Sequence, residues 1–298
     1  MCTSLPEGDA SLRFYSCSKA PALVYVVSHC GVSLHLHHMY NLLISHTSSS
    51  DGPADLSPLT FQYLSRFSCQ TDGGSSDAVY NFIYQNQPSL RTVSIENPSW
   101  TFPSTVLSIR NLAHINFLGR LPPNSQAIAD ILTHGRQLES LFLSCHIDCT
   151  STSHIFRSMP KALPFLRHFS FTVRTIGRRV RDPDLFPAIA EFLRGREELR
   201  TLGLVAQTSH MQCSVGFYAA VWGALPSLVN LRTLKISYPT DLAPGLASWL
   251  IPRSVGALSL TLDYTSVQAG STTMNARDFI PFLDVSTSSK VGKWVTLF

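Results

Sequence analysis

Apolar residues in this chain recur in one short frame, Leu-x-x-apolar-x-apolar. Three copies agree beyond the apolar positions: Leu90-Arg91-Thr92-Val93-Ser94-Ile95, Leu199-Arg200-Thr201-Leu202-Gly203-Leu204 and Leu231-Arg232-Thr233-Leu234-Lys235-Ile236. Successive side chains on extended backbone point to opposite faces, so the last two apolar residues of each frame share one side of a short strand. Looser copies begin at Leu64 (with Phe67 and Cys69), Leu112 (Ile115, Phe117), Leu138 (Leu141, Leu143), Leu166 (Phe169, Phe171) and Val255 (Leu258, Leu260). In a chain that is 44% hydrophobic, the bare apolar triplet arises by chance in roughly one window in ten. The weight therefore falls on the Leu-Arg-Thr copies, on the near-copy Leu166-Arg167-His168, and on the matching lead-ins Ala162-Leu163-Pro164-Phe165-Leu166 and Ala224-Leu225-Pro226-Ser227-Leu228.

The eight first positions lie 22 to 33 residues apart. Their mean spacing, about 27, falls inside the roughly 20–29 residue period of leucine-rich repeats. Between the frames run stretches of helical period. The spacing predicts helices over 77–84, with Val79, Phe82 and Ile83 on one face, over 125–132 with Ile128, Ile131 and Leu132, and over 185–193 with Ile189, Phe192 and Leu193. Ser125 and Asp184 stand where the last two need caps. A unit of strand, turn, helix and turn cannot bury its own apolar side, but stacking sets each row of leucines against the next. The fold expected is an α/β leucine-rich-repeat solenoid, with a curved parallel sheet on the concave side and helices on the convex side. Residues 59–266 form the solenoid. Residues 1–58 read as an irregular lead-in that holds a degenerate first repeat, with Leu34 and Leu36 inward, and 267–298 as a C-terminal cap built on Phe279-Ile280-Pro281-Phe282-Leu283.

If the first Leu and the alternating apolar residues face inward, the residues between them line the concave sheet. The candidate binding residues there are Arg66, Glu96, His114, Asn116, Phe142, His168 and Lys235, on a surface that is otherwise small, polar and uncharged. Such a surface lies against a partner without desolvating charge, and Phe142, near the middle, is the natural aromatic anchor. Arg91, Arg167, Arg200 and Arg232 all follow the first Leu of a frame, so stacking aligns them along one rim, where solubility or recognition of an acidic or phosphorylated partner are the two uses.

Composition narrows the chemistry. The 298 residues exceed one compact core of ordinary size and suit an elongated solenoid or two domains. A net charge of +4 with only 14% charged residues is not the concentrated basic face that nucleic acid requires; Arg174 to Arg181 is the one locally basic loop. Seven cysteines without framework spacing fit reduced thiols in the cytoplasm or nucleus. No signal peptide is visible, and Ala22 to Val27 is far too short to span a bilayer, so no membrane partner is expected. His35, His37 and His38, and the Cys145-to-Cys149 segment, have ligand types without a completing set, so neither a metal nor a cofactor is expected. No nucleophile elbow, phosphate loop, metalloprotease helix or dinucleotide fingerprint occurs, and no catalytic residue is assigned.

From Leu59 to Ser266 the chain resembles the leucine-rich-repeat region of fungal F-box-type proteins. The likeness rests on the Leu-Arg-Thr strands, the Ala-Leu-Pro lead-ins and the segment from Ser254 to Tyr264. It implies a non-catalytic protein-interaction scaffold, a substrate receptor of a cullin-type ubiquitin ligase that holds a protein partner on its repeats and meets the ligase through an adaptor. Leu5-Pro6-Glu7 is similar to an F-box opening, but Gly8-Asp9-Ala10-Ser11 follows where an apolar helix is expected. The alternatives are an α/β hydrolase-like enzyme with coincidental Leu periodicity and a truncated repeat fragment without independent function.

Overall fold

The structure, a computed structural model, describes residues 12–13, 23–28, 41–46, 60–71, 75–122, 126–146, 151–174, 182–207, 215–238, 242, 244–262 and 294–297. Among these residues one sheet runs through twelve strands in chain order. They are β1 (Leu12–Arg13), β2 (Leu23–Ser28), β3 (Asn41–His46), β4 (Arg66–Thr71), β5 (Thr92–Thr101), β6 (His114–Arg120), β7 (Ser140–His146), β8 (His168–Arg174), β9 (Thr201–Gln207), β10 (Thr233–Tyr238), β11 (Ala257–Leu262) and β12 (Trp294–Leu297). β1 is antiparallel to β2, and each later neighbour is parallel to the one before. The crossovers carry α1 (Asp77–Gln85), α2 (Gln126–His134), α3 (Thr152–Ser158), α4 (Leu185–Leu193), α5 (Val215–Ala224) and α6 (Pro244–Leu250). Between β5 and β6 a single tight turn, Ser104–Ser108, replaces a full helix. The fold is the predicted α/β leucine-rich-repeat solenoid. Strands β2 and β3 extend the sheet ahead of β4, while Leu34, Leu36 and the segment from Phe279 to Leu283 lie outside the described residues.

The eight frames lie side by side in register. Phe67, Val93, Ile115, Leu141, Phe169, Leu202, Leu234 and Leu258 pair rung to rung, as do Cys69, Ile95, Phe117, Leu143, Phe171, Leu204, Ile236 and Leu260. Beneath each strand start the first leucine is sealed: Leu64, Leu90, Leu112, Leu138, Leu199 and Leu231 are all 0% exposed. A turn sets each of these leucines. The N–H of Leu90, Leu112, Leu138, Leu166, Leu199, Leu231 and Val255 donates to the carbonyl three residues earlier. At the following position one carbonyl per rung accepts two N–H groups from the next. Ser65 O accepts from Arg91 and Thr92, Arg91 O from Ala113 and His114, Ala113 O from Glu139 and Ser140, Glu139 O from Arg167 and His168. Arg167 O, Arg200 O and Arg232 O continue the series to Arg200 and Thr201, Arg232 and Thr233, and Gly256 and Ala257. Both lone pairs of each carbonyl are thereby used.

Behind the sheet the helices bury the faces their periodicity predicts: Val79, Phe82 and Ile83 in α1, and Ile128, Ile131 and Leu132 in α2. α4 buries Leu185, Phe186, Ala188, Ile189, Ala190, Phe192 and Leu193 because it packs between α3 and α5 as well as on the sheet. Phe156 of α3 joins the two layers, edge-on to Phe171 of β8 at 6.1 Å and to Phe192 of α4 at 5.4 Å. Asp184 precedes α4 but makes no side-chain cap; its carboxylate instead faces Arg157 at 3.4 Å. The candidate cap Ser125 lies outside the described residues.

After α4 the chain turns at Gly195 (φ 77°), a left-handed backbone that glycine adopts without a Cβ penalty. Arg196 then reaches back one repeat. Its Nε donates to Phe192 O at 2.9 Å, Nη1 to Leu163 O at 2.7 Å, and Nη2 to Ala162 O at 2.6 Å and Pro160 O at 3.2 Å. The guanidinium also stacks over the Phe192 ring, 4.1 Å from its centroid. Burial pushes its pKa down to about 10, still well above neutrality. The clasp holds Leu163, a non-glycine residue at φ 53°, in a conformation that L side chains disfavour.

Two expectations follow, both measured by urea unfolding. Leu199→Ala, at a fully buried site, costs about 2–5 kcal/mol, whereas Val229→Ala, 58% exposed in the neighbouring turn, stays within about 0.5 kcal/mol of the parent. Arg196→Ala strands the carbonyls of the Leu163 turn and costs about 1.5–3 kcal/mol.

Candidate binding surface

Alternation puts three rows of side chains on the open face. The row nearest the strand starts reads Arg66, Thr92, His114, Ser140, His168, Thr201, Thr233 and Ala257; the middle row Ser68, Ser94, Asn116, Phe142, Ser170, Gly203, Lys235 and Ser259; the third begins Gln70, Glu96, Leu118, Ser144, Thr172 and Val205. Over β5 to β8 these rows dip into a hollow of about 510 Å³, with Ser94, His114, Asn116, Phe142, Ser170 and Thr172 among its lining. The cause is a size contrast. Phe142 stands up from β7 with Ser140 and Ser144 before and after it on its own strand and Ser170 beside it, so volume is left around the ring. One strand further, Gly203 keeps the floor low, since an added Cβ would run into the Ser170 side chain.

Polar groups in the hollow are fixed by one another. His114 Nδ1 and Ser140 Oγ share a hydrogen bond of 2.9 Å, and His168 Nδ1 and Thr201 Oγ1 share another of 2.9 Å. Asn116 Nδ2 donates to Ser94 Oγ at 3.0 Å and to Glu96 Oε1 at 3.2 Å. Ser140 is itself nearly buried, 5% exposed, so its hydroxyl serves to hold the His114 ring. Each histidine has a ring nitrogen, Nε2, outside these two bonds.

Of the candidates read from the sequence, His114, Asn116 and Phe142 meet in the hollow, and Glu96 joins them through Asn116. Arg66 and His168 occupy the same row as His114 outside the lining, and Lys235 lies exposed beyond Gly203. The serines and threonines that shape the hollow, Ser94, Ser170 and Thr172 above all, were legible as open-face positions but not as its walls. The signal that marks them is a run of small side chains on both sides of one phenylalanine. Four open-face positions are buried where exposure is expected: Ser140, Gly203, Val205 and Ser237, the next open-face position after Lys235 on β10. Alternation assigns a side of the sheet and says nothing of what lies over it.

Along the strand starts, the four rim arginines are all exposed. Arg167, Arg200 and Arg232 occupy consecutive rungs, Arg200 N donating to Arg167 O at 2.7 Å and Arg232 N to Arg200 O at 2.8 Å. Arg91 stands apart, with Ala113 and Glu139 on the intervening rungs. Among the described residues no three His, Cys, Asp or Glu side chains gather at a metal-sized site. Cys145 is on β7 and buried, its side chain turned to the core, while Cys149, His35, His37 and His38 lie outside the described residues. Burial pushes the Cys69 thiol up to about 12. No described helix is long and apolar enough to cross a membrane.

No family of known sequences matches the chain, and none of the curated proteins is significantly similar to it. Among solved structures it is similar to an internalin (inlF) from Listeria monocytogenes, at 14% identity and a TM-score of 0.40, over 80% of this chain and 60% of that one. The chain thus spans about 60% of the length of that protein.

Desolvation lowers the pKa of both open-face histidines. For His114 the Arg91 and Arg66 charges add to this and Glu139 opposes it; for His168 the His114, Arg200 and Arg167 charges add and Glu139 again opposes. The folded protein therefore favours neutral rings. Below the ordinary value of 6.5 the unfolded chain takes up protons before the folded one does. The stability tied to these rings is complete above that value and is lost as pH falls from it toward the depressed folded values. Urea midpoints measured from about pH 7.5 down to 5 should fall more for the parent than for His114→Asn/His168→Asn.

Proposed function

We propose that this chain is a non-catalytic scaffold that holds a segment of a protein partner across the concave sheet, with Phe142 as its anchor. The observation that carries this reading is the hollow over β5 to β8, where a partly buried aromatic ring stands among uncharged hydroxyl and amide groups. Interfaces concentrate their energy in such aromatic anchors ringed by near-neutral contacts. Small polar neighbours hydrogen-bond a partner backbone without the cost of stripping water from charges. A hydrolase reading fits less well, because Ser140, the hydroxyl held by His114, is nearly buried and poorly placed to meet an incoming carbonyl. In keeping with the resemblance of the repeats to those of fungal F-box-type proteins, we further propose that the captured partner is presented to a cullin-type ubiquitin ligase through its adaptor, in the cytoplasm or nucleus. The buried free thiol of Cys69 accords with that location.

Affinity capture from the source organism with the tagged chain, quantified by mass spectrometry against Phe142→Ala, tests both parts. The scaffold reading expects a defined set of proteins whose recovery drops about tenfold or more in the variant, the loss typical of an interface hot spot. An unchanged set ends it. Adaptor and cullin subunits should be recovered from parent and variant alike; if they are absent while the Phe142-dependent set remains, the ligase part falls alone.

A further inference from the structure

The rim beside the hollow is charged in a block. Glu139, Arg167, Arg200 and Arg232 hold the same position on four consecutive rungs, each linked to the next through its backbone carbonyl. Neighbouring strands lie about 4.8 Å apart, so the three arginines repeat at that interval over about 10 Å of rim. Their side chains are exposed, and among the described residues the ion pairs belong elsewhere, both to Arg157, with Asp184 and Glu191. Like charges at that separation repel one another, and salt screens them only beyond about 8–10 Å. A row of this kind is best neutralised from outside.

The row is also continuous with the hollow. β8 contributes Ser170 and Thr172 to the lining, and Arg167, on the rim, immediately precedes it. Past β8 the middle row drops to Gly203 and then meets the exposed Lys235 on β10, the strand that Arg232 precedes. Arg167 and Arg200 each stand one residue ahead of an open-face position, His168 and Thr201, whose side chains share the 2.9 Å hydrogen bond, so the rim adjoins the face a partner would cross.

Building on the scaffold reading, we propose that Arg167, Arg200 and Arg232 bind an acidic stretch of the same partner segment whose apolar side chain seats against Phe142. One anionic group, carboxylate or phosphate, bridges adjacent arginines, because each guanidinium donates to oxygen in a planar fork and two neighbours bracket a single acceptor group. Glu139 ends the row on the hollow side and sets where the anion-binding stretch begins.

The test is fluorescence anisotropy of the full chain with a labelled ten-residue peptide carrying one central leucine flanked by glutamates, beside versions with glutamine or phosphoserine in their place. The glutamate peptide should bind about tenfold or more tightly than the glutamine one, and its affinity should fall as NaCl rises from about 50 to 300 mM. Arg200→Gln should weaken it about fivefold or more, while Arg136→Gln, an exposed arginine of a neighbouring turn, should leave it unchanged. Glu139→Arg, which lengthens the row by one rung, should tighten it about threefold or more. Tighter binding of the phosphoserine peptide names phosphate as the natural anion, and equal or weaker binding names carboxylate. Equal affinity for glutamate and glutamine peptides, indifference to both Arg200→Gln and Glu139→Arg, or tighter binding of oligothymidine through the same arginines would overturn the proposal. In the capture experiment, the triple change of Arg167, Arg200 and Arg232 to Gln separates the two readings. If a Phe142-dependent set is still recovered in full, the scaffold stands and the acidic partner falls. If neither Phe142→Ala nor the triple variant alters recovery, both fall.

Discussion

One carbonyl per rung, accepting two N–H groups from the next strand start, is the constraint on which the rest of this structure depends. It sits on the residue after each sealed leucine, so backbone and core are locked at adjacent positions. The lock is indifferent to what the chain does between rungs. Spacings of 22 to 33 residues and crossovers as different as α4 and the Ser104–Ser108 turn all return the strand to the same register. A leucine buried beneath each strand contributes about 1.5–3 kcal/mol of burial, and it does so against its neighbours alone, as expected of a quasi-one-dimensional array.

The same arrangement divides labour among side chains. The position that supplies the shared carbonyl has no duty for its own side chain, which is why arginine, glutamate, alanine and serine all occupy it. The open-face positions are equally free of core packing. Their chemistry is therefore set by what touches them from across the strands, as His114 with Ser140 and Asn116 with Ser94 and Glu96 show. A surface built in this way presents a preorganised pattern of donors and acceptors at small conformational cost to whatever it meets.

Much of this was legible in the sequence because both periods involved are local. A two-residue alternation put Phe67 with Cys69 and Leu258 with Leu260 on the inner side, and a helical period found Val79, Phe82 and Ile83. What escaped depends on residues distant in the chain. The hollow is a contrast between Phe142 and serines on other strands, and no single frame contains it. Arg196 reads as one more charged turn residue until its reach to Pro160, Ala162 and Leu163 is seen. Asp184 has the identity of a cap, yet an ion pair with Arg157 claims its carboxylate. Val205 and Ser237 obey the alternation and are nonetheless covered.

Because the shared carbonyl ties rung to rung without consulting side chains, genetic gain or loss of one whole module leaves every remaining strand correctly seated. A slip of a single residue would instead turn the greasy set to water. Lineages of such a chain are thus free to lengthen, shorten and shuffle by unequal crossing-over, and to diversify their recognition one tile at a time.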